Sequence, residues 1–324
     1  MPRIISIDQT DPEVLDVFAR MSETELRRLY EPERGLFIAE SAHIVHRALD
    51  YNRTCAEKDA SDEKTASISE KNVSDKRIVP LSVLCERLQT EEEGRYRKAF
   101  ADRDEPRVAG CAIGGYLFHP KIAAVISRIE EEGYTNVPVY CAPLSVLETI
   151  TGYHLTGGVL CAMRRPALPE AHSLLAGARR IVVTDHVTNP TNVGAIFRSA
   201  AALGADAVLV TASCSDPLYR RALRTGMGSA FQIPWTYVSD DYIALLHRYG
   251  FTVCAMALAD RAVPVSDPRL SSHEKLAVVL GNEGYGLPED TVRASDIVCM
   301  IPMSHGVDSL NVAAASAVAF YALF

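Results

Sequence analysis

The sequence predicts an α/β protein of two domains, the second built on a parallel sheet with helices on both faces. Three observations carry this. From about residue 180 to the end, short apolar runs alternate with helical segments, the pattern of repeated βα units. The 324 residues exceed the roughly 100–200 of a typical domain. With 48% hydrophobic and 23% charged residues the composition is that of an ordinary globular chain.

The front part, 1–163, opens with "DPEVLDVFARM", a helix with Asp11 as cap and Pro12 in its first turn, and "SETELRRL" offers a capping box from Ser22 to Glu25. "GLFIAESAHIVHRAL" reads as a short strand and an amphipathic helix. Residues 52–77 carry almost no large apolar side chain and read as a mobile, solvated insertion. "RIVPLSVLCERL", "AAVISRIEEEG", "VPVYCAPLSVLETITG" and "GGVLCAM" complete a first α/β domain. The proline-bearing stretch 164–177 reads as a linker.

In the second domain, 178–324, strands are expected at 180–184, 206–211, 251–257, 276–280 and 297–301. Helices are expected at 192–203, 218–225, 240–249, 288–294 and 309–323.

The formal net charge of −8 argues against a broad basic surface without excluding a local one. Residues 178–324 hold 11 Lys and Arg against 13 Asp and Glu, so most of the acidity lies in front. The eight cysteines stand singly, without C-x-x-C spacing, which speaks against zinc or a disulfide framework. The first acid at Asp8 comes too early for a signal peptide, and the apolar run Val312–Phe324 is too short to span a bilayer, so the chain reads as cytoplasmic.

Three stretches carry chemistry. In "NPTNVGAIFRSAAALG", Asn189 or Thr191 can cap a helix that Pro190 starts and Gly204 ends. Val193, Ile196, Phe197 and Ala200 form its buried stripe. Arg198 points off that stripe among small neighbours. It is either a solvated arginine or one aimed at a large anionic ligand. In "LAVVLGNEGYGLPED" a strand runs into a loop with Gly281, Gly284 and Gly286, which permit tight turns and close backbone approach to a ligand. Glu283 there is a site residue or a simple cap. In "CMIPMSHGVDSLNVAAASAVAFYALF" the polar loop leads to Ser309, a candidate cap for an almost wholly apolar helix buried on all sides by the sheet, another chain or both. Ser309 and Asn311 are the polar groups at its mouth. "YRRALRTGMG" adds Arg220, Arg221 and Arg224, a phosphate-binding patch or a salt-bridged surface. The histidines at 186, 273 and 305 stand singly in loops and receive no catalytic role.

Together, in this order and spacing, the three stretches resemble the motifs of the SpoU (TrmH-like) RNA ribose methyltransferases of the SPOUT superfamily. The resemblance covers about 178–324. The front part is similar, more loosely, to the substrate-binding domain that often precedes them, although Ser41 stands where those proteins tend to have glycine. The resemblance implies a SPOUT fold, a parallel sheet with a C-terminal trefoil knot, and a homodimer packed through the knot region. It implies S-adenosylmethionine in the knot, at Leu280, Gly281, Asn282, Ile301, Met303 and Leu310. It places Arg198 on the ribose 2′-hydroxyl of a tRNA or rRNA, with Asn192, Glu283, Ser309 and Asn311 around it. Because arginine holds its proton up to a pKa above about 12, two roles stand for Arg198. In one, a local field lets it accept the hydroxyl proton. In the other, it stays charged, stabilises the developing alkoxide and orients a phosphate.

Two other readings compete. A catalytically idle RNA-binding dimer is favoured by the acidity and the altered front domain and disfavoured by the intact Arg198, Glu283, Ser309 and Asn311. A nicotinamide enzyme fails on the missing glycine fingerprint after the first strand.

Overall fold

The computed structural model describes residues 3–7, 15–19, 22, 24, 25, 35–62, 77–88, 111–153, 155, 157–282 and 284–324. The chain divides into two compact units, Met1–Ala167 and Leu168–Phe324.

The first unit is a five-stranded sheet in the order β1-β6-β3-β7-β2, formed by β1 (Arg3–Ser6), β2 (Leu36–Glu40), β3 (Val79–Glu86), β6 (Pro138–Ala142) and β7 (Val159–Arg164). β4 (Cys111–Ile113) and β5 (Tyr116–Phe118) make a separate hairpin. Helices α1 (Asp16–Ala19), α2 (Ala42–Asp62), α3 (Pro120–Glu131) and α4 (Leu144–Thr151) accompany the sheet. Asp11 lies outside the described residues, but the Ser22–Glu25 box forms. The Ser22 amide donates to Glu25 Oε2 at 2.7 Å and the Glu25 amide to Ser22 Oγ at 3.3 Å, and these bonds hold the Glu25 carboxyl below its usual range.

Two expectations are corrected here. Residues 52–62 of the supposed insertion continue α2, and Asn52 is buried, giving and taking hydrogen bonds with the backbone of Ile78 at 2.8 and 2.7 Å. One amide side chain satisfies both polar groups of Ile78, so a residue counted as polar surface pins the chain before β3. Residues 63–76 lie outside the described residues. Likewise 164–177 is not simply a linker. Arg164 ends β7, and α5 (Ala171–Gly177) buries Leu175 fully in the core of the second unit.

The second unit is a seven-stranded, wholly parallel sheet in the order β10-β9-β8-β13-β11-β14-β12. Its strands are β8 (Arg180–Thr184), β9 (Ala207–Thr211), β10 (Trp235–Val238), β11 (Thr252–Met256), β12 (Val263–Pro264), β13 (Leu276–Leu280) and β14 (Ile297–Met300). β10 and the two-residue β12 were not expected. The first is a short run behind Pro234, and the second holds a proline tolerated at a sheet edge. Helices α6 (Pro190–Ala202), α7 (Arg220–Thr225), α8 (Tyr242–Arg248), α9 (Pro268–Ser271), α10 (Glu289–Ala294) and α11 (Val312–Leu323) complete it. β8, β9 and β13 are buried at nearly every residue, as continuous apolar strands covered on both faces must be.

The expected α6 stripe is buried: Val193, Ile196, Phe197 and Ala200 are at most 1% exposed, and Phe197 meets Trp235 edge to face at 5.9 Å. Gly194 sets how close α6 lies to α7, because a Cβ there would stand 2.2 Å from the Ala222 carbonyl oxygen. The last helix is not covered on all sides within this chain. Val318 and Tyr321 are exposed, Tyr321 at 83%.

Candidate active site

The carboxyl ends of β13, β11 and β14, neighbours in the sheet, open onto one cleft of about 710 Å³. Each strand delivers a different loop to it. β13 continues into 281–287, a tight loop closed by paired backbone hydrogen bonds between Asn282 and Gly286 at 3.0 and 2.9 Å. Gly281 admits no side chain, since a Cβ would lie 2.7 Å from the backbone of Gly286 and Leu287. Gly286 turns with φ +69°, which favours glycine.

Asn282 holds this loop in place. Its Oδ1 accepts from the amides of Gly284 and Tyr285 at 2.8 and 3.2 Å, while its Nδ2 donates to the His186 carbonyl at 3.0 Å and reaches Thr188 Oγ1 at 3.5 Å. One side chain therefore fixes the glycine loop to the segment between β8 and α6.

β14 runs through Ile301 and Met303 into the exposed loop 304–310, and Asp308, Ser309 and Leu310 line the cleft from there. Ser309 is not the helix cap. α11 begins at Val312, and the cap is Asn311, whose Oδ1 accepts from the Ala313 amide at 2.9 Å. The asparagine lies nearer the helix and takes the bond that the serine was expected to take. Asn311 also donates from Nδ2 to Oδ1 of the buried Asn192 at 3.3 Å, joining α11 to α6.

All six residues expected at the cofactor, Leu280, Gly281, Asn282, Ile301, Met303 and Leu310, line this one cleft, with Ser309. Asn311, between the lining residues Leu310 and Val312, meets Asn192, and neither asparagine lines the cleft itself. Arg198 is exposed on α6 one turn beyond Gly194, outside the lining, and makes no hydrogen bond or ion pair with the described residues. Glu283 lies outside the described residues. Arg221 and Arg224 are exposed on α7, and Arg220 is half-buried.

Two arrangements were not read from the sequence, in which His186 received no catalytic role. Asp185, directly after β8, is buried and accepts from Tyr242 Oη at 2.9 Å and from Thr211 and Thr291 hydroxyls at 3.3 Å each. Burial and the neighbouring Asp185 push the Tyr242 hydroxyl well above its usual range, so it stays a donor. The His186 ring, half-exposed, meets Asp185 Oδ1 through Nδ1 at 2.7 Å. The available signal was an aspartate closing an apolar strand, followed at once by a histidine. The isolated cysteines also converge. Cys254 Sγ and Cys299 Sγ stand 2.8 Å apart on β11 and β14, and Cys299 and Met256 line the cleft.

Residues 179–321 match the SpoU rRNA Methylase family. The 23S rRNA (guanosine(2553)-2'-O)-methyltransferase RlmP of Bacillus subtilis is 33% identical over 213 residues, 63% of this chain and 82% of that protein. The chain belongs to the SpoU methylase family. An uncharacterized tRNA/rRNA methyltransferase of Mycobacterium bovis is 42% identical over 189 residues, 57% of this chain, and the aligned part spans 66% of that protein's length. An AdoMet-bound rRNA methyltransferase from Sinorhizobium meliloti has the same fold, with a TM-score of 0.67 at 18% identity, covering 99% of this chain and 97% of that one. The SpoU match takes in the whole Arg198 helix, the glycine loop and the Ser309–Asn311 segment.

Proposed function

We propose that this SpoU protein transfers a methyl group from S-adenosylmethionine to a ribose 2′-hydroxyl of tRNA or rRNA. One observation carries the reading. The glycine loop and the Ser309–Leu310 segment form a single cleft that the Asn311–Asn192 bond ties to the helix bearing Arg198. A volume of about 710 Å³ suits a ligand of this size. The lining fits its parts. Leu280, Ile301, Met303 and Leu310 offer apolar contact to a nucleoside, the glycine loop offers backbone donors and acceptors, and Arg261, Arg293, Glu289 and Asp308 supply charges of both signs, Arg293 pairing with Glu289. When bound, the cofactor supplies an electrophilic methyl carbon.

The chain's own part is positioning and charge. Arg198, free of protein partners among the described residues, is available to the ribose and its phosphate, where a guanidinium stabilises developing negative charge. Arg220, Arg221 and Arg224 extend the basic surface along α7 for the RNA backbone. The apolar exposure of Val307, Leu310, Val318 and Tyr321 supports a homodimer packed through the last helix and the loop before it, with the C-terminal knot and the cytoplasmic setting that the reading carries. Among the described residues no helix is long and apolar enough to cross a membrane.

The test combines calorimetric titration with S-adenosylmethionine and incubation with bulk RNA and labelled cofactor. Binding with transfer is expected, and Arg198→Ala is expected to keep binding and lose transfer. Failure of folded protein to bind the cofactor overturns the reading, and transfer at the parental rate by Arg198→Ala overturns the role of the arginine. Binding without transfer points to the idle RNA-binding alternative.

A further inference from the structure

Single exposed apolar residues are ordinary, but several gathered at one ligand cleft mark a binding surface. Seven large apolar side chains are exposed among the described residues, and three of them, Leu258, Tyr285 and Leu310, stand on the lining of the cleft. They come from separate loops, after β11, β13 and β14, which are neighbours in the sheet.

Tyr285 is the most extreme. It is 96% exposed, and its ring makes no hydrogen bond and no ring contact among the described residues. Its backbone, by contrast, is held firmly. The Tyr285 amide donates to Asn282 Oδ1 at 3.2 Å, the Gly284 amide does so at 2.8 Å, and the paired bonds between Asn282 and Gly286 close the turn around them. A ring on a fixed backbone has few torsions left to order when another flat group settles on it. At that exposure the side chain adds nothing to the core, so stability does not account for it.

The ring's position also separates the cofactor from the RNA. Leu280 and Gly281, expected at the cofactor, are buried at the end of β13, whereas the tyrosine ring stands clear of the protein and open to a molecule arriving from solvent. Every nucleobase has a π face, and an exposed aromatic ring is the element that catches one once it is unstacked from its neighbours.

We propose that Tyr285 is the stacking platform for an unpaired nucleobase of the RNA, with Leu258 of the neighbouring loop adding apolar contact. The assignment rests on the methyl-transfer reading above and narrows its substrate. The methylated nucleotide, or one beside it, belongs to a single-stranded loop or bulge, since a base held inside a duplex shows no free face.

Tyr285→Ala removes the ring and Tyr285→Phe keeps its face. In methyl transfer to bulk RNA, KM for RNA is expected to rise by about tenfold with alanine, the usual worth of one stacked base, and to return to within about threefold of the parent with phenylalanine. The loss should fall on KM rather than kcat, as for binding shared by ground and transition states, and calorimetry should show the S-adenosylmethionine affinity unchanged. A second readout needs no turnover. The chain's single tryptophan, Trp235, is buried, so Tyr285→Trp places the sole exposed indole at the mouth of the cleft. Its fluorescence should be quenched by a single-stranded RNA oligonucleotide of mixed sequence and not by a duplex of equal length. An alanine variant whose KM stays within about twofold of the parent, or equal losses with alanine and phenylalanine, overturns the assignment. So does quenching by S-adenosylmethionine alone, which would put the ring on the cofactor, or a change of oligomeric state in light scattering, which would put it on a second copy of the chain. In each case an active parent leaves the methyl-transfer reading standing. A parent that binds no cofactor and methylates no RNA removes that reading, and the quenching by single-stranded against duplex RNA then decides the platform by itself.

Discussion

Gly194→Ala separates helix propensity from tertiary contact, which predict opposite signs. Propensity alone favours alanine over glycine inside a helix by about 1 kcal/mol. The structure opposes this, because the new Cβ would stand 2.2 Å from the Ala222 oxygen, 2.9 Å from its carbonyl carbon and 3.0 Å from the Gly226 nitrogen. All three atoms are backbone, so no side chain can swing away and α6 must part from α7 by about 1 Å to restore ordinary contact. Overpacking of that kind costs about 3 kcal/mol, and the propensity gain leaves a net loss of about 2 kcal/mol. For a unit of this size that lowers the melting temperature by about 4–8 °C. Gly177→Ala is the control, since a Cβ added to that helical glycine would meet nothing within 4 Å and its φ is not left-handed. It should be neutral or raise stability by up to about 1 kcal/mol. Thermal and denaturant unfolding of both variants decide the matter. If Gly194→Ala melts at or above the parent, the close crossing of α6 and α7 is wrong, and with it the placement of Arg198.

Four further substitutions, at three positions, follow from the site and from the first unit. Asn311→Asp keeps an acceptor for the Ala313 amide but loses the donor to Asn192, so it should hold stability within about 0.5 kcal/mol and lower methyl transfer, whereas Asn311→Ala should lose both, at about 1 kcal/mol; unfolding and labelled-methyl assays separate the two roles. Asn282→Ala removes the bonds that hold the glycine loop to His186 and Thr188, and calorimetry should show S-adenosylmethionine affinity down by at least about tenfold, or 1.4 kcal/mol. Ser41→Gly should stabilise the first unit by about 1 kcal/mol, because Ser41 holds φ +83°, the region that costs a side chain and not a glycine; an unchanged or lower melting temperature would count against that strain.

Much of the second unit was legible because parallel strands buried on both faces must be apolar throughout, and helices between them must alternate. Val193, Ile196, Phe197 and Ala200 could be placed on one stripe from spacing alone. What escaped depends on partners remote in sequence. Nothing near Gly194 announces α7, and nothing near Asn52 announces Ile78. The cap at the last helix was misassigned from Ser309 to Asn311 for a related reason: both residues can cap, and where the chain leaves the cleft decides which one does. α5 hid behind two prolines, since a loop composition and a short helix start look alike until Leu175 finds a core.

The site itself follows a different logic from the core around it. Apolar burial fixes the strands, but the loops after β8, β13 and β14 are held by asparagine side chains. Asn282 holds the glycine loop to His186, Asn189 caps α6, and Asn311 caps α11 while reaching Asn192. Each such bond is worth only about 1 kcal/mol net, so losing one leaves the sheet folded and lets a loop move. Asparagine suits the task because its amide donates and accepts at once and so binds two segments together. A site built this way is sensitive in activity and tolerant in stability. Substitutions at 282 and 311 should therefore change methyl transfer far more than melting temperature, and the reverse should hold at Gly194 only if α6 moves as a whole.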